Sequence, residues 1–123
     1  MITYETGNPH FGGRTVVQLS AAGEVVVELK RDDENIDFDQ KVDPAVHREL
    51  LVLLKEACRR VSHLPELTPV PGETLVRLRA TTPSETIHLR FWSNQRWRDP
   101  VLDHLMSHFE RLAVATSGGV VRF

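Results

Sequence analysis

The sequence predicts a single α+β domain over residues 1–123: an antiparallel sheet of about five or six strands with two main helices packed on one face. Three observations predict it. Strand-like runs joined by short turns come in two blocks, and a helical stripe follows each block. Both stripes are entered through an Asp-Pro pair, Asp43-Pro44 and Asp99-Pro100. The length of 123 residues, with 41% hydrophobic and 26% charged side chains, suits one ordinary globular core and argues against disorder.

Ile2 to Thr6 alternates apolar and polar residues, as a half-buried strand does. Gly7 to Gly13 interrupts it as a turn-rich loop. Thr15–Leu19 and Glu24–Leu29 are rich in β-branched residues, and Ser20-Ala21-Ala22-Gly23 between them reads as a hairpin loop. Lys30 to Asn35 is polar and turn-like, and Ile36–Asp39 alternates again as a fourth strand.

Asp43 then caps a helix whose first residue, Pro44, needs no N–H partner. At about 100° per residue, Val46, Leu53, Leu54, Ala57 and Val61 fall within about 60° of Leu50, so one apolar stripe runs along this helix. Pro65, Pro69 and Pro71 stop it and make 64–72 an extended connector. Thr74–Ala80 and Thr86–Trp92 form a second hairpin, in which His88, Arg90 and Trp92 share the face opposite Ile87, Leu89 and Phe91. Asp99-Pro100 opens the second helix, with Val101, Leu102, Leu105, Phe109 and Leu112 as its stripe. Ser117-Gly118-Gly119 ends it, leaving 120–123 as a short strand or tail.

Several functions are disfavoured by what the chain carries. A net charge of −2 does not suit a strongly basic nucleic-acid binder. A single cysteine, Cys58, allows neither an internal disulfide nor a cysteine-based zinc cage. The start Met1-Ile2-Thr3-Tyr4-Glu5 lacks the basic and apolar regions of a signal peptide, and no apolar run approaches a membrane span. The expected setting is the cytoplasm, with no membrane partner. No G-x-S-x-G elbow is present, and the Gly7–Gly13 loop runs into a strand and not into a phosphate-binding helix terminus. His104 and His108 have ligand spacing on the second helix, but two imidazoles are too few for a stable metal site. They read as boundary residues of a buried stripe, as does His47, and Cys58 reads as an inert thiol beside the apolar face. No catalytic residue, cofactor or metal is therefore expected.

Charge polarity is the most informative feature. From Glu28 to Asp43, seven carboxylates against Lys30, Arg31 and Lys41 leave −4. From Thr74 to Arg98, Arg77, Arg79, Arg90, Arg96 and Arg98 against Glu85 leave +4. Arg77 and Arg79 share a strand face that His88 and Arg90 extend across the hairpin. Trp92 and Trp97, flanked by Arg90, Arg96 and Arg98, have the composition of a binding hot spot. The Gly7–Gly13 loop, carrying His10 and Phe11, is a second candidate contact.

The order of an early strand leading to Phe11-Gly12-Gly13, a long amphipathic helix, a Pro-rich connector, a hairpin, and a last helix entered at Pro100 with Leu102 and Leu105 resembles the emfourins. These are small cytoplasmic bacterial inhibitors of thermolysin-like metalloproteases. The resemblance covers most of the chain as an order of elements, and it implies that the Phe11-Gly12-Gly13 loop is an inhibitory edge. The expected function is a non-catalytic protein-binding module, an inhibitor or immunity-type protein that neutralises an enzyme or toxin. The alternative is an RNA-binding or regulatory domain using the same Arg/Trp surface.

Overall fold

The computed structural model describes residues 1–7, 13–31, 34–61 and 74–121. Strands β1 (Ile2–Gly7), β2 (Arg14–Leu19), β3 (Glu24–Arg31) and β4 (Glu34–Lys41) form a meander. Helix α1 (Ala45–Val61) follows, then β5 (Leu75–Thr81), β6 (Thr86–Trp92), a 3-10 helix (Ser93–Trp97) and α2 (Pro100–Thr116). All six strands join one antiparallel sheet in the order β4-β3-β2-β1-β5-β6. The sheet and two helices give the expected α+β class.

Two close approaches fix the meander. Gly23 takes φ +90°, and a Cβ there would stand 2.1 Å from the Val42 carbonyl oxygen, so only glycine fits beneath the crossing chain. Gly13, at φ +73°, lies equally tight against the backbone of Lys30 and Arg31.

Both helices start where the Asp-Pro pairs put them. The Asp43 carboxylate accepts from Ala45 N–H at 2.9 Å, and the Asp99 carboxylate accepts from Val101 N–H at 2.8 Å. Asp99 is itself buried and also takes a 3.2 Å ion pair from Arg60 of α1, which ties the two helices together. Leu50, Leu54 and Ala57 of α1 and Leu102, Leu105 and Phe109 of α2 are fully buried against Ile2, Tyr4, Val17, Leu19, Val25, Val27, Val76 and Leu78. Tyr4 stacks flat on Phe109, with ring centroids 4.8 Å apart and planes within 1°. Met106 and Ala113 also enter the core, which widens the predicted α2 stripe.

Two boundaries differ from expectation, and a third decides between two readings. The fourth strand runs from Glu34 to Lys41, not 36–39, because its register against β3 continues out to Arg31↔Glu34. Residues 93–97 wind into a 3-10 helix where no element was expected. Of the strand and the tail expected after α2, Val121 takes the tail: its N–H donates to the Ser117 hydroxyl at 3.0 Å, and its side chain plugs the core. The connector assigned to 64–72 lies outside the described residues. Among the described residues, no helix is long and apolar enough to cross a membrane.

Candidate functional site

Strand side chains alternate between faces, so one side of the sheet carries the core and the other carries their neighbours. Among the described residues, no helix or strand lies over that second, open side. Strand register arranges it in rows. From β4 to β6, one row reads Asp37, Glu28, Val16, Glu5, Arg77, Arg90. The next reads Asp39, Val26, Gln18, Thr3, Arg79, His88. The charge asymmetry along the chain thus becomes an asymmetry across these two rows, acidic on β3 and β4, basic on β5 and β6, with Lys30 and Lys41 in the rows that flank the acidic side.

The basic half has a specific geometry. Ser93 N–H donates to the Thr74 carbonyl and Thr82 N–H to the Glu85 carbonyl. In this register those bonds make Arg77↔Arg90 and Arg79↔His88 the pairs without mutual backbone bonds, where facing side chains come closest. Like charges so placed repel and lower the stability of the sheet. Arg77, Arg79, His88 and Arg90 are all exposed, and among the described residues none makes an ion pair or side-chain hydrogen bond. With Thr3, Glu5 and Gln18 they line a shallow depression of about 640 Å³. Asp37 and Asp39 on the acidic half are exposed and lack an ion pair among the described residues. Within the face, Arg14 holds Glu5 at 2.7 Å and Lys30 holds Glu28 at 3.4 Å.

Trp92, two residues along β6 from Arg90, is half-buried opposite Leu75, and its backbone N–H donates to Gln95 Oε1 at 2.8 Å. The structure therefore unites Arg77, Arg79, His88, Arg90 and Trp92 on one face. Trp97 is 75% exposed but stands on the 3-10 helix beyond the strand, with exposed Arg98 next to it. Arg96 is removed from the free basic set. Its guanidinium bonds Asp103 at 2.8 Å, Glu110 at 2.7 Å and Ser107 at 3.0 Å, all on α2, and also lies 5.1 Å from the Trp97 ring centroid. It positions Trp97 and fastens the 3-10 helix to α2. His10 and Phe11 lie outside the described residues.

Residue-level reading missed Thr3, Glu5 and Gln18 as the middle of the face, and missed that Glu28, Asp37 and Asp39 share it. Register was the signal for both. Elsewhere, the His104 and His108 rings lie 5.8 Å apart, and burial, with the charges of Arg111 and His104, lowers the His108 pKa. Among the described residues, no three His, Cys, Asp or Glu side chains group to hold a metal. Burial pushes the Cys58 thiol up, and its Sγ touches the His88 carbonyl oxygen at 3.8 Å. Burial, helped by the Glu110 charge and opposed by Arg96, drives the Tyr4 phenol well above its ordinary range. No family model matches the chain, and no curated protein matches it.

Proposed function

We propose that this chain is a non-catalytic protein-binding module of the inhibitor or immunity type, which docks an acidic surface of a partner enzyme or toxin on its open sheet face. One observation carries the reading. Arg77, Arg79 and Arg90 crowd together with His88 on a face that no described helix or strand covers, without ion-pair partners among the described residues and at some expense of stability. Such a cluster steers an oppositely charged protein and speeds its capture, which suits a neutralising role. Trp92 beside it supplies an amphipathic anchor of the kind that dominates interface energetics. The cytoplasm is the proposed setting, and the emfourin-like element order supports an enzyme as the target.

The test is a kinetic comparison on a partner isolated from the source cell. Arg79→Ala is expected to slow association and flatten its salt dependence. Trp92→Ala is expected to speed dissociation, with a loss of about 2 kcal/mol or more. Unchanged rate constants in folded variants would move the docking surface off this face. The second reading, a single-stranded RNA binder, is favoured by the exposed Trp97 ring beneath Arg96, an arrangement on which a base can stack. Salt-sensitive retention of RNA that Trp97→Ala abolishes would select it.

A further inference from the structure

The open face is complementary to itself. An axis lying in the plane of the face, parallel to the strands and midway between β1 and β2, turns a second copy so that its β6 lies over β4. On the first row this sets Asp37 against Arg90 and Glu28 against Arg77. On the second it sets Asp39 against His88 and Gln18 against Thr3, while Arg79 meets Val26 there and Glu5 meets Val16 on the first row. An axis across the strands would set β4 on β4, acid on acid. Of these two orientations only the first matches opposite charges, and the matched pairs lie on the outer strands, with Gln18 and Thr3 next to the axis.

The size also suffices. Strands of six to eight residues, at about 3.3 Å per residue and about 4.8 Å apart, make a face of roughly 600–750 Å². Two such faces bury roughly 1,200–1,500 Å², the range of specific interfaces. Within the face, Glu28 and Glu5 hold only surface pairs with Lys30 and Arg14, which exchange readily for intermolecular ones.

We propose that two copies of this chain associate through their open faces as an isologous, charge-matched sheet sandwich with the helices outside. The proposal rests on the reading of this face as a docking surface and names a second copy as one of its partners. Self-association then covers Arg77, Arg79 and Arg90, so an acidic partner protein competes with the second copy and binds the single chain.

Charge swapping tests this, with mass measured by sedimentation equilibrium. The wild type is expected to have the mass of two chains at high micromolar concentration in low salt. In molar salt, where the screening length is about 3 Å, it is expected to have the mass of one. The variant R77E/R90E leaves only acidic charges in the first row, and E28K/D37K leaves Glu5 as the one acid in that row. Each alone is expected to lose at least about tenfold in self-affinity, and an equimolar mixture to restore the two-chain mass. Restoration by mixing cannot come from misfolding. A wild type that stays single in low salt, variants that still self-associate, or a mixture that stays single would each overturn the proposal. The failures are separable: a single-chain protein whose arginines still bind a foreign partner overturns self-association alone. A two-chain protein that binds none, even when diluted to single chains, overturns the partner reading alone.

Discussion

Along each strand of this sheet, alternate residues follow opposite rules on the two faces. On the covered face Ile2, Tyr4, Val17, Val27 and Leu78 are buried against α1 and α2. One residue away, on the open face, stand Thr3, Gln18, Glu28, Arg77 and Arg79, and the pair Arg77↔Arg90 sets like charges side by side. Packing density governs the first face, where each lost methylene leaves a void. The second tolerates repulsion that a sheet selected for stability alone would remove. The contrast separates residues that make the fold from residues the fold displays.

The strongest way to break that separation is a truncation under α2. Phe109→Ala removes the Tyr4 stack and opens a cavity, and is expected to cost about 3–5 kcal/mol by denaturant unfolding. Leu105→Ala is expected to cost about 2–5 kcal/mol. A loss below about 0.5 kcal/mol would mean that the covered face is not the core. Next comes the helix junction. Asp99→Ala deletes the α2 cap and the partner of Arg60, and should cost about 1–2 kcal/mol, while Asp99→Asn, which still caps, should recover most of it.

Smaller still is the expected gain on the open face. Arg90→Thr relieves the repulsion with Arg77 and should raise stability by a few tenths of a kcal/mol in low salt, at dilution that keeps chains single. The gain should fade as salt is added. A loss instead would place Arg90 among the residues that make the fold. The last effect concerns pH. Burial, reinforced by the positive charges of the N-terminal amine and Arg48, holds the His47 imidazole below its ordinary 6.5. The unfolded chain therefore takes up the proton first, and this contribution is full above pH 6.5 and is lost as pH falls below it. His47→Leu should flatten the melting temperature between pH 7.5 and 5.5. The slope that survives should include His108, lowered in the same direction.

Local chemistry made much of this legible. Both helix starts followed from Asp-Pro pairs, and both stripes from their period, because each signal lies within a few residues. The grouping of Arg77, Arg79, His88 and Arg90 followed from alternation across one hairpin. What needed tertiary information was the company each charge keeps. Arg96 and Arg98 look alike in sequence, yet only Arg96 meets Asp103, Ser107 and Glu110, which share one side of α2 through their spacing of four and three. The acidic half was legible as a charged run, but its place on the same face depended on the β2–β3 and β3–β4 registers. The 3-10 helix left a faint trace in Gln95, three residues after Trp92, whose side chain closes back on the Trp92 N–H.

The edges of the sheet decide what kind of assembly it can enter. On β4 the exposed residues Glu34, Asn35, Asp37, Asp39 and Lys41 put charges along the rim, the usual guard against strands adding sideways. On β6, α1 lies close enough for Cys58 to reach the outward-pointing His88 carbonyl. Lateral recruitment, the route to fibres and inclusion bodies, is discouraged at both ends. This polypeptide can therefore expose a broad, sticky sheet without becoming a template for its own precipitation.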